Sequence, residues 1–142
     1  MLLDPNVDFE VGDSVRAIDL YSGYRRTLDW TKKFTKMFGT EMKFFDDEYL
    51  ISRIVDDTKT PFFIKHNEEE LDFGLIEIRK PVIIDELPLM NARVRIWLNS
   101  DHEYQRTGKI FDREDDHLMF WSEVGGGIFR MERSDIRAAC VL

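Results

Sequence analysis

The stretch Ala92-Arg93-Val94-Arg95-Ile96-Trp97-Leu98 alternates without a break, placing Val94, Ile96 and Leu98 on one side and Arg93, Arg95 and Trp97 on the other. Period two is the mark of a strand with one buried face. Downstream, residues 107–111, 117–122 and 128–132 read as three more strands. Gly125-Gly126-Gly127 supplies the hairpin between the last two, because glycine takes positive φ at no steric cost. Ser134-Asp135-Ile136 reads as one helical turn, and residues 138–141 as a short fifth strand holding Cys140 as a small core residue.

The same logic works upstream. Val11-Gly12-Asp13-Ser14-Val15 opens a strand that runs on to Ile18, Tyr21-Ser22-Gly23-Tyr24 is a loop, and residues 49–55, 61–65 and 71–79 are strand-like. Residues 27–39 break the pattern: Leu28, Trp30, Phe34, Met37 and Phe38 recur at helical spacing, Thr27 or Asp29 suits the start and Gly39 the end. A short amphipathic helix is expected over about 29–38. Trp30, Phe34 and Phe38 share a face, to be buried against a barrel or against a second subunit. Residues 85–88 read as a linker between a first domain, 9–84, and a second, 88–142.

The two halves resemble each other. Val15-Arg16 is followed by Tyr24-Arg25-Arg26-Thr27, and Val94-Arg95 by Tyr104-Gln105-Arg106-Thr107; Ile54 and Ile110 each precede an acidic turn, with the strand resuming at Phe62 and Leu118. The offset falls from 79 residues at the first landmark to 56 at the second, which the helical insertion accounts for. The fold expected is mainly β: two tandem five-strand antiparallel barrels, the first carrying the inserted helix. This pattern resembles the SH3-like small barrels, a group that includes Tudor, agenet, KOW and Sm-like domains. The likeness rests on Val94–Leu98, Thr107-Gly108-Lys109-Ile110, His117-Leu118-Met119-Phe120 and Ser134-Asp135-Ile136-Arg137, and on the opening Val11-Gly12-Asp13-Ser14-Val15. The second half also looks similar to Sm and Hfq proteins, but Glu114 takes the place of their Asp and His117 the place where their Asn would be sought.

Composition bounds the function. Asp plus Glu outnumber Lys plus Arg by 28 to 20, for a net charge of −8, which argues against a whole-surface binder of DNA or anionic membranes. One cysteine excludes an internal disulfide framework and a cysteine-rich zinc site. No run is long enough to span a bilayer, and Met1-Leu2-Leu3-Asp4-Pro5 lacks a signal peptide's basic and apolar regions, so a cytoplasmic protein is expected. Catalytic motifs are missing, and His66, His102 and His117 each sit in acidic loops that read as solvated turns. The expectation is a protein that is not an enzyme and has no catalytic residues, cofactor or metal.

The candidate binding residues are aromatic and cationic. Resemblance to small barrels implies a ligand rim at Tyr21, Tyr24, Tyr104, Trp97 and Trp121, where aromatic faces attract cations. Arg93 and Arg95 flank Trp97 on the face opposite the apolar set, a combination enriched at binding hot spots. The leading reading is an acidic adaptor or inhibitor that binds a basic protein surface or peptide. One alternative is a KOW- or Sm-like nucleic-acid-associated factor using the Arg/Trp face, whose charges are otherwise spent on cross-strand pairs with Glu123 and Glu132. Another is a pocket for a small ligand or nucleotide.

Overall fold

A computed structural model describes residues 9–100 and 105–142. It divides into two compact units, residues 1–80 and 81–142. In the first, β1 (Ser14–Ala17), β2 (Glu48–Ile54), β3 (Phe62–His66), β4 (Glu69–Phe73) and β5 (Ile78–Arg79) form one antiparallel sheet in the order β4-β3-β2-β1-β5. In the second, β6 (Val94–Leu98), β7 (Gln105–Arg113), β8 (His117–Ser122), β9 (Ile128–Glu132) and β10 (Ile136–Val141) repeat that order as β10-β6-β7-β8-β9. The protein is therefore mainly β, with two five-stranded antiparallel sheets in tandem. The outermost strands of each sheet do not pair with each other, so the sheets are open rather than closed into the barrels expected.

The repeat is real in register as well as in order. β2 shifts register after Ile51, opposite Ile64, and β7 shifts after Ile110, opposite Phe120. Matching these bulges sets the offset at 79 for Val15 and Val94, 59 for Ile51 and Ile110, and 56 for Phe62 and Leu118. Most of the added length in the first unit is the helical insertion, and three residues lie in the β2–β3 loop. The Tyr-x-Arg-Thr landmark is not part of the repeat: Gln105 to Thr107 open β7, whereas Arg25 takes a left-handed turn and Thr27 caps a helix.

That helix, α1, runs Leu28–Phe38. Thr27 Oγ1 accepts the Trp30 N–H at 3.1 Å, and Gly39 ends it at a φ of 81°, which favours glycine. A second helix, α2 (Glu41–Asp46), follows at once, with Thr40 accepting from Lys43 N–H. Phe34, Met37 and Phe38 of α1 and Phe44 of α2 are buried with Val15, Ile51, Phe62, Ile64 and Phe73 in one core. Rings meet edge and face across it, as in Phe38–Phe44 at 4.6 Å and Phe44–Phe73 at 5.1 Å. The apolar face of α1 thus packs on its own unit, with Phe34 and Phe38 buried as expected and Trp30 partly buried against the same core.

The second core is mostly aliphatic, built on Val94, Ile96, Leu98, Ile110 and Leu118 with Phe120. Residues 81–87 belong to it, correcting the expected end of the first domain at 84 and the linker at 85–88. Leu87 is buried there, Val82 and Ile84 pack against it, Val82 N–H bonds Ala139 O at 2.8 Å, and Arg113 Nη1 bonds the carbonyls of Ile84 and Leu87. A 3-10 turn, Arg133–Asp135, leads into β10 about where the sequence placed a helical turn.

Gly108 fixes the approach of β7 to β8. A Cβ there would sit 1.8 Å from the Trp121 carbonyl oxygen, a backbone atom that cannot swing aside. At Gly127 the nearest atoms would be the Phe129 ring at 3.5 Å, an ordinary contact. Gly108→Ala is expected to cost about 3 kcal/mol, the upper end for overpacking, and Gly127→Ala under about 1 kcal/mol, both read from denaturant melts.

Candidate functional site

The first unit contains a cleft of about 310 Å³ between the loop after β1 and the start of the helices, lined by Leu20, Tyr21, Arg26, Trp30, Phe34 and Glu41 among others. Its construction starts from one carboxylate. Glu77, in the turn before β5, is wholly buried. Its Oε1 accepts Arg26 Nη2 at 2.5 Å and Gly74 N–H at 2.9 Å, and its Oε2 accepts Arg26 Nη1 at 2.8 Å and Tyr21 N–H at 2.8 Å. The guanidinium is bound at both ends, the geometry arginine supplies and lysine cannot. Its remaining Nη donors reach Tyr21 O and Asp72 O.

The paired guanidinium is also a shelf for aromatics. Its carbon lies 4.3 Å from the Trp30 ring centre and 4.8 Å from that of Tyr24. Trp30 Nε1 donates to Asp72 O at 3.3 Å, and its ring stacks on Phe34 at 5.4 Å, leaving the indole half-buried along the cleft. Burial, then the Glu77 charge, pushes the Tyr24 phenol up from its ordinary pKa, so the ring stays neutral. Thr31 and Thr35 turn their hydroxyls to helix carbonyls. Of the charged residues lining the cleft, Arg26 is neutralised by Glu77, and Glu41, exposed at the start of α2, has no ion-pair partner among the described residues. The Lys43 side chain lies against Gly39 at one end.

The residues singled out from sequence fall in several places. Tyr24 is in this cluster, beneath Arg26. Trp97 is on the side of β6 opposite Val94 and Ile96, as alternation requires, yet it is fully buried. Alternation leaves it outside the apolar face unless another part of the molecule covers it, and it is covered: a strand pattern says which way the indole points, not whether water lies there, and Cys140, on the same side, is equally buried. Arg93 binds Glu123, with Nη2 to Oε2 at 2.9 Å, and this contact holds the Glu123 carboxyl below the usual carboxylate range. Arg95 is half-buried and donates to Thr107 Oγ1 at 3.0 Å. Arg130 pairs with Glu132 at 3.0 Å and Asp116 at 3.7 Å. Trp121 is half-buried opposite Lys109 on β7 and Ile128 on β9. Tyr104 lies outside the described residues.

Sequence reading missed Arg26, Glu77, Trp30 and Glu41 as site residues. One signal was available: Glu77 is an acid between apolar neighbours, Ile76 and Ile78, where a buried carboxylate requires a partner. Among the described residues no group of three or more His, Cys, Asp or Glu side chains is placed to hold a metal ion, and no helix is long and apolar enough to cross a membrane. No protein-family model matches the chain, and no curated protein or solved structure shows significant similarity to it.

Removing one member of a buried ion pair strands the other. Glu77→Ala is expected to cost about 3–5 kcal/mol in a urea melt, where loss of an exposed pair costs about 1 kcal/mol or less. Lys36→Ala, which breaks the exposed pair with Glu69, is the matched control and is expected to stay within that smaller range.

Proposed function

We propose that this chain is a non-enzymatic interaction module whose first unit binds a basic segment of a partner protein in the Trp30 cleft. The observation that carries the reading is the charge state of that cleft. Its arginine is already saturated by Glu77, so the lining offers an aromatic wall and one uncompensated carboxylate, Glu41. Aromatic faces and carboxylates together favour a cationic side chain. The surrounding unit agrees in sign, since residues 1–80 hold 17 acidic and 12 basic side chains. A volume of about 310 Å³ is at the small end of ligand sites, which favours one or two anchoring side chains over a whole nucleotide.

The engagement of Arg93 and Arg130 with acids speaks against the nucleic-acid alternative, because these charges are matched within their own sheet. The common strand order of the two sheets, and the 3-10 turn before β10, support a likeness to SH3-like small barrels at the level of topology. The working surface proposed is the helical insertion, not the rim aromatics that this likeness implied.

Calorimetric titration with a Lys/Arg-rich peptide, an acidic peptide and a single-stranded RNA tests the reading. The basic peptide is expected to bind and to weaken with salt. Trp30→Ala and Glu41→Lys should each weaken it about tenfold, the worth of one partly desolvated cation–π or charge contact, while Lys43→Ala strengthens it. Tighter binding of RNA or the acidic peptide, or indifference to both Trp30 and Glu41, would contradict it.

A further inference from the structure

Four strands end the two sheets, and three of them are blunted. On β4 the outward Asp72 carbonyl is taken by Arg26 and Trp30. β5 has only two residues. On β10 the Ala139 carbonyl accepts Val82 N–H. β9 is different. Ser122 N–H bonds Gly127 O and Arg133 N–H bonds Asp116 O, so residues 127 and 133 turn their backbone toward β8, and strand alternation makes 129 and 131 do the same. The N–H and C=O groups of Ile128, Arg130 and Glu132 therefore point away from the sheet. Among the described residues they have no hydrogen bond. The side chains along this edge are exposed too: Ile128 and Phe129 at 51% each, and Val124 in the adjoining turn at 82%.

An open edge with apolar side chains is a template for another strand. Its charges say which one. On one face of β9 Arg130 and Glu132 stand two residues apart and pair with each other at 3.0 Å, an exposed contact that a facing copy can exchange for two pairs between chains. Two antiparallel copies of β9 related by a two-fold axis at Met131 place each Arg130 opposite the other copy's Glu132, with all four outward backbone groups of those residues paired. A two-fold at Arg130 would set arginine against arginine, and one at Phe129 would leave Glu132 without a facing cation. We infer that β9 is a self-association edge, through which a second copy of this chain adds its own β9 in the Met131-centred register to form a two-fold dimer. This surface lies in the second unit and does not depend on the peptide cleft of the first.

Sedimentation equilibrium of the full chain over a concentration series tests this. The wild type is expected to reach dimer mass and no higher, because an isologous pairing closes at two. Arg130→Glu or Glu132→Arg alone sets like charges opposite each other at both ends of the ladder and should weaken the dimer about tenfold. An equimolar mixture of the two variants should restore it as a heterodimer. Arg130→Pro removes an outward N–H without touching the β8 ladder, so it should abolish dimerisation with little change in melting temperature. A chain that stays monomeric at all concentrations, grows past the dimer, or dimerises with no response to either charge variant overturns the inference. Should Arg130→Pro unfold the chain, the two charge variants and their mixture still decide it.

Discussion

The first unit depends on the bond between Glu77 and Arg26. A carboxylate with no solvent exposure is tolerable only when its charge and its lone pairs are all met, and here two guanidinium nitrogens and two backbone amides meet them. Those four donors come from three places: the loop after β1, the approach to α1, and the turn before β5. One side chain thus ties the approach to α1 to the two loops that flank the β1–β5 pairing. The tie also sets the plane of the guanidinium, and that plane supports Trp30 and Tyr24. The cleft follows from this chain of constraints: buried carboxylate, fixed arginine, oriented indole, open space beside it.

The two units show one topology used twice with different surfaces. Both sheets run in the same strand order and carry a bulge at the same point. The insertion between β1 and β2 gives the first sheet a covering of phenylalanines and, at its edge, a concave site. The second sheet lacks that insertion. It buries a mostly aliphatic core closed by residues 81–87 and leaves β9 open along its length. Charge follows the same division: the cleft keeps an unmatched carboxylate, whereas Arg93 and Arg130 of the second unit are met by neighbouring acids.

How much of this was legible in the sequence depended on the range of the interaction. The alternation of residues 92–98 fixed β6 and its inward face, because period two needs no knowledge of the rest of the chain. Thr27 and Gly39 marked the ends of α1 for the same local reason. The burial of Trp97 was not legible, since a strand pattern assigns a side and not what covers it. Nor were the partners of Arg93 and Arg95, which depend on cross-strand register. The short helix α2 was missed because Met42, Phe44 and Phe45 make too brief a run for helical periodicity to register. The Arg26–Glu77 contact joins residues 51 apart and left only one trace, an acid set among apolar neighbours.

Native-state hydrogen exchange at two amides measures whether the Glu77–Arg26 pair holds the first unit together. Gly74 N–H and Tyr21 N–H lie in a turn and a loop, outside any ladder, and each is hydrogen-bonded to a Glu77 carboxylate oxygen. If Glu77 and Arg26 organise the unit, both amides should open only with the core strands β2 and β3, with protection near that of Ile51 and Ile64. Exchange of Gly74 and Tyr21 at the rate of exposed loop amides, while the β2 and β3 amides stay protected, would mean that the buried pair is not what holds the cleft together.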